Sequence, residues 1–101
     1  MFDANQWLEE NYPKDDVCKI NDFYSKGKRR NEITKLTSLG RRNLVGTLDL
    51  SDFINLEKLN CSNNQLTELI LLNSYRLEWL YCSNNQLTDL SLTNLLQFER
   101  N

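Results

Sequence analysis

Two stretches of this chain repeat almost word for word. Leu56-Glu-Lys-Leu59-Asn-Cys61-Ser-Asn-Asn64-Gln-Leu66-Thr-Glu-Leu69 returns as Leu77-Glu-Trp-Leu80-Tyr-Cys82-Ser-Asn-Asn85-Gln-Leu87-Thr-Asp-Leu90, offset by 21 residues throughout. A fixed period of this kind constrains the fold strongly, because each unit can hide its apolar side only against a neighbouring unit. Leu59/Cys61 and Leu80/Cys82 alternate with other residues at the period of a strand, so they point inward and the residues between them point out. Units laid side by side would form parallel strands about 4.8 Å apart. Asn64 and Asn85 follow as chain-bending residues whose amides can satisfy turn backbone groups. Leu48/Leu50, Leu69/Leu71 and Leu90/Leu92 alternate again, which suggests a second short strand on the outer side. A period of 21 leaves little room for a full helix in each unit.

Weaker copies flank the two strong ones. Ile33, Leu36, Asn43, Leu48 and Leu50 outline an earlier coil, irregular between Ser38 and Arg42. Leu90, Leu92, Leu95 and Phe98 begin a later one, which stops at Asn101 inside a repeat. The composition agrees, with nineteen leucines and fourteen asparagines against three glycines and one proline. The N-terminal third reads as a helical hairpin. Asp3 caps a helix with Gln6 at the third position, Trp7, Leu8 and Tyr12 form its apolar stripe, and Pro13 ends it. Pro13 also suits the start of a second helix, with Asp15 and Asp16 at its positive dipole end and Val17, Ile20 and Tyr24 along one side. The polar run Ser25–Asn31 links this hairpin to the first coil. The expected organisation is therefore a helical cap over residues 1–31, then about three coils over residues 32–101, the last incomplete.

These motifs resemble the leucine-rich-repeat superfamily. The combination of Gln6-Trp7-Leu8 with Tyr12-Pro13, then Leu48-Asp49-Leu50-Ser51-Asp52-Phe53, then Leu-x-Cys-Ser-Asn-Asn-Gln-Leu is similar to a set of fungal repeat proteins with coils of about this length. The resemblance implies an α/β repeat fold: a short right-handed leucine-rich-repeat solenoid with parallel strands, one per coil, and an N-terminal α-helical cap. Some longer members of that set join such repeats to a protein-kinase domain. The role implied is ligand binding or scaffolding.

The residue inventory points away from catalysis. There is no histidine, the commonest general base and a frequent metal ligand. Cys18, Cys61 and Cys82 lack an activating histidine, and three dispersed thiols do not make a zinc site, so they read as buried small hydrophobes. Gly40 and Gly46 flank basic residues without forming a phosphate-cradling loop. No catalytic residue, cofactor or metal site is assigned. No apolar run reaches the roughly 18 residues of a membrane span, and the first residues carry no secretory pattern, so a reducing cytoplasm is the expected compartment.

What remains is binding. The outward residues Lys58, Asn60, Ser62, Trp79, Tyr81 and Ser83 form the candidate face, concave if the coils curve, for a protein or peptide ligand. Trp79 and Tyr81 are of the kind that anchor interfaces. One alternative is a repeat fragment of a longer scaffold or kinase-linked protein with no partner of its own. Another is weak nucleic-acid or anion binding through residues 26–42, where Lys26, Lys28, Arg29, Arg30, Lys35, Arg41 and Arg42 face only Glu32. An uncovered C-terminal edge would also favour self-association.

Overall fold

The computed structural model describes residues 1–88 and 92–93. Leu90, Leu95 and Phe98, expected to begin a further coil, lie outside the described residues. Among the described residues, seven short strands and one α-helix follow in the order β1 (Phe2–Asp3), α1 (Ala4–Asn11), β2 (Lys35–Leu36), β3 (Leu44–Asp49), β4 (Lys58–Asn60), β5 (Gln65–Ile70), β6 (Trp79–Tyr81) and β7 (Leu92–Thr93), with one 3-10 turn at Arg30–Glu32. They build two separate sheets, one ordered β1-β3-β5-β7 and the other β2-β4-β6. Every pairing is parallel. From β2 to β7 the chain alternates between the sheets, so each parallel connection runs through a strand of the other sheet where a helix is usual.

The core lies between the sheets. Leu36, Leu59 and Leu80 enter it from one side, Leu44, Leu48, Leu66 and Leu69 from the other. Leu50, Phe53, Leu56, Leu71 and Leu77 fill the bends between them. Burying a leucine stabilises by roughly 1.5–3 kcal/mol, so this leucine pattern is what makes strands of two to six residues viable.

The turns explain the asparagines. Asn43, Asn63 and Asn84 hold positive φ of 57°, 59° and 58°, a conformation asparagine tolerates better than most residues. After Asn63 and Asn84 the next residue supplies the hydrogen bonds. Asn64 Oδ1 accepts from the N–H groups of Arg42 and Leu44 at 2.9 and 3.1 Å, while its Nδ2 donates to the carbonyls of Leu39 and Cys61 at 2.8 and 2.9 Å. Asn85 repeats the pattern, accepting from Leu66 N–H and donating to the Cys61 and Cys82 carbonyls. Bending and bonding are thus split between adjacent asparagines.

The solenoid expectation is corrected by this arrangement. One principal strand per coil with a helical hairpin as cap is replaced, among the described residues, by two separate parallel sheets and a single helix. The body measures 33 × 30 × 20 Å with a radius of gyration of 12.2 Å, close to the roughly 13 Å of an ordinary compact domain of 100 residues. Of the alternating leucines, Leu48 and Leu69 lie in strands of six residues, β3 and β5, longer than the three-residue β4 and β6, and Leu50 and Leu71 follow the ends of those strands.

The expected second helix is absent among the described residues. Asp3 caps α1 as its position suggests, Oδ2 accepting from Gln6 N–H at 3.0 Å, and Trp7, Leu8 and Tyr12 are buried. Yet Phe2–Asp3 also adds a strand to β3, so the N-terminal segment extends a sheet edge. Residues 13–28 form irregular turns tied by Lys19 N–H to Asn11 O, Cys18 N–H to Lys28 O and Gly27 N–H to Cys18 O. Val17, Ile20 and Tyr24 do not share a helical stripe. Asp16 instead accepts from Val17 N–H and pairs with Lys19 at 2.8 Å, and Asp22 accepts from Tyr24 N–H, local bonds that compete with a helix. No helix among the described residues is long and apolar enough to cross a membrane.

Candidate partner-binding face

The outward face of β2-β4-β6 carries the site. Parallel register places Lys35 opposite Lys58 and Lys58 opposite Trp79, with Asn60 opposite Tyr81 in the next outward row. Between these rows Leu36, Leu59 and Leu80 point the other way and are at most 5% exposed. Strand alternation therefore fixes the outward set, and Trp79 and Tyr81 stand 55% and 44% exposed.

All six residues expected at a binding face sit on or at the end of this sheet. Lys58, Asn60 and Ser62 are half-buried, and Trp79, Tyr81 and Ser83 are exposed. Asn60 is fixed, its Oδ1 accepting from both the N–H and the hydroxyl of Ser62 at 3.1 and 2.6 Å. The Lys58 ammonium lies 6.0 Å from the Tyr81 ring centroid, at the outer limit of a cation–π contact.

Three further residues join the face from outside that set. Lys35 heads the same row, and its ammonium lies 4.8 Å from the Tyr24 ring centroid. Phe23, 93% exposed, meets Tyr24 edge-on at a centroid distance of 5.1 Å. Lys35 was legible, since Ile33-x-Lys35-Leu36 matches Leu56-x-Lys58-Leu59. Phe23 and Tyr24 were not, because their position depends on the irregular turns of residues 13–28.

Elsewhere several charged groups are engaged within the fold. Of the seven basic residues of 26–42, Arg30 is buried, Lys35 lies over Tyr24 and the Arg42 guanidinium sits 5.4 Å from the Trp7 ring centroid, while Lys26, Lys28, Arg29 and Arg41 are exposed. Arg30 lines a cleft of about 340 Å³ with Glu9, Lys14, Asp49 and Asp52, but it already pairs with Asp52 and Glu9 at 3.2 and 3.4 Å. Burial pushes the Cys61 thiol well above its ordinary range, and it raises Cys18 too. A nucleophilic thiol needs the opposite shift. Among the described residues no three histidine, cysteine or acidic side chains group as metal ligands.

No protein-family model, curated protein or solved structure matches this chain.

Proposed function

We propose that this chain is a non-enzymatic interaction module that binds a protein or peptide across the outward face of β2, β4 and β6. The observation carrying this reading is the contrast on β6: Leu80 is seated in the core while Trp79 and Tyr81 are left in solvent on either side of it. Large aromatics on a short, well-anchored strand bring contact area with little conformational entropy to lose. Interface hot spots are enriched in these residues. The likeness of the Leu-x-Cys-Ser-Asn-Asn-Gln-Leu segments to leucine-rich-repeat proteins, a family of binding modules, supports the same reading. Thiols raised by burial favour packing over catalysis, and three free cysteines suit a reducing cytoplasm.

The test is selection of a phage-displayed random dodecapeptide library on the full chain. Selected peptides are then titrated against wild type and the Trp79→Ala/Tyr81→Ala variant by fluorescence polarisation. Loss of an anchor pair should weaken binding by about thirtyfold or more. Peptides that bind both proteins equally would remove this face as the site.

A further inference from the structure

We infer that the partner of this face is an acidic peptide, with an Asp or Glu carboxylate seated between Lys35 and Lys58. This inference rests on the binding role proposed above and adds the chemistry of the ligand. Its basis is a juxtaposition that the fold itself makes unfavourable. Lys35 and Lys58 are direct partners on adjacent parallel strands, on one face, with their backbones pinned by Glu57 and Lys58 N–H groups donating to Thr34 O at 2.7 and 3.1 Å. Like charges directly opposite in a sheet repel.

No carboxylate among the described residues forms an ion pair with either ammonium. The nearest acids by sequence are otherwise placed. Glu32, three residues before Lys35, accepts from the Arg29 N–H at 2.8 Å, and Asp22 accepts from the Ser25 hydroxyl and the Tyr24 N–H. Glu57 and Glu78 lie just ahead of β4 and β6, lining a separate open cleft with Tyr75, Arg76 and Leu77. Lys26 and Lys28 are exposed in the segment that carries Tyr24 and add to the positive field.

The two ammonium groups are flanked by aromatics. Phe23 and Tyr24 stand on the Lys35 side, Trp79 and Tyr81 on the Lys58 side. An anion between the lysines would offset their repulsion, and apolar side chains on either side of it could lie on the rings. A peptide with alternating acidic and apolar residues supplies both. A nucleic acid would instead favour a continuous basic track, and Arg30 and Arg42 are drawn away from this face.

The experiment compares peptides selected from the dodecapeptide library on wild type and on the Lys35→Glu/Lys58→Glu full chain, both checked for folding by circular dichroism. Wild-type binders should be net acidic and lose about tenfold or more in affinity on the charge-reversed protein. They should weaken as salt rises from 50 to 300 mM, and the reversed protein should select basic peptides. Binders that need Trp79 and Tyr81 but are neutral or basic, and indifferent to the lysine reversal, would overturn the acidic partner while leaving the binding face standing. An oligothymidylate dodecamer that outcompetes the acidic peptides at 150 mM salt would overturn it in favour of nucleic acid. Failure to obtain any Trp79- and Tyr81-dependent binder would bring down both readings.

Discussion

The Arg30 Nε donates to the Tyr12 carbonyl oxygen at 2.8 Å, joining the 3-10 turn before β2 to the residue that ends α1. The same guanidinium pairs with Asp52 and Glu9 and lies 5.3 Å from the Phe53 ring centroid. It is 8% exposed, so its contacts must replace most of its hydration. Arg30→Ala should destabilise by about 2–4 kcal/mol, chiefly through the unpaired Tyr12 carbonyl and lost packing on Phe53. Arg30→Lys should recover less than half of that, because one ammonium nitrogen cannot reach the three separated acceptors that Nε, Nη1 and Nη2 serve, nor stack a planar group on Phe53. Urea titrations of the two variants check both values; full rescue by lysine would reduce Arg30 to a simple charge.

Asn64 should matter more than its repeat partner Asn85. Asn64 is 7% exposed and bonded on both sides, whereas Asn85 is half-buried. Asn64→Ala should cost about 2–4 kcal/mol and Asn85→Ala about 1–2 kcal/mol, as buried N–H and C=O groups lose partners. Asn64→Asp keeps the acceptor for Arg42 and Leu44 but turns a charged oxygen toward the Leu39 and Cys61 carbonyls. Its carboxyl should therefore have a raised folded-state pKa. The variant should regain stability relative to wild type as pH falls toward the ordinary aspartate value of about 4, where a protonated oxygen can donate. Chemical denaturation at pH 7 and pH 4 tests this, and an equal deficit at both would be against it.

These asparagines also show what the sequence could reveal. The repeat at Leu59/Cys61/Asn64 and Leu80/Cys82/Asn85 carried the inward set, the parallel pairing of β4 with β6 and the six outward residues. Those features depend on strand alternation and a constant offset, both visible locally. The division of the body into two sheets was harder to see, because β3 and β5 start at Leu44 and Gln65, before the leucine alternation that hinted at them. Gly46 at φ +85° sits where the β3–β5 register shifts, a tertiary irregularity no spacing rule marks. Residues 13–28 misled in the other direction. Pro13, Asp15 and Asp16 are good helix-start residues, but the bonds of Asp16 and Asp22 hold turns instead. Tyr24 accordingly lies beside Lys35 on the candidate face, and not along a helix.

Tyr12 gives the chain a defined alkaline limit. Its ring is 1% exposed, and its hydroxyl lies 2.6 Å from Ser38 Oγ. Desolvation pushes its pKa up from 10.0 to about 12, outweighing the opposing hydrogen bond to Ser38. The neutral phenol is therefore favoured by the fold. Its contribution is fully present below pH 10, where the unfolded chain begins to ionise, and is lost as pH rises through the folded value near 12. Tyr12→Phe should be less stable at pH 7 by about 1 kcal/mol for the lost hydrogen bond. It should decline less steeply than wild type between pH 10 and 12, and parallel stability curves over that window would contradict the assignment.

Cys61 and Cys82 occupy equivalent repeat positions but differ in access to solvent. Cys61 is 0% exposed between the sheets, its N–H donating to Tyr81 O at 2.9 Å, while Cys82 at the end of β6 is half-buried. Burial, helped by the neighbouring Cys82, holds the Cys61 thiol protonated at all ordinary pH values. Only the thiolate reacts with disulfide reagents, so labelling of Cys61 must wait for the sheets to open. In native buffer Cys82 should react first, with Cys61 and the 4%-exposed Cys18 silent until urea is added. Cys61→Ser should destabilise by about 1–3 kcal/mol, because a hydroxyl is costlier to bury than a thiol. Cys61→Ala should cost less than serine, since it leaves a small void without a new polar group. Equal labelling rates for Cys61 and Cys82 in the native protein, or a serine variant more stable than the alanine one, would show that Cys61 is not a packed apolar residue. Peptide mapping of the alkylated protein by mass spectrometry distinguishes the three sites, and thermal melts rank the two variants.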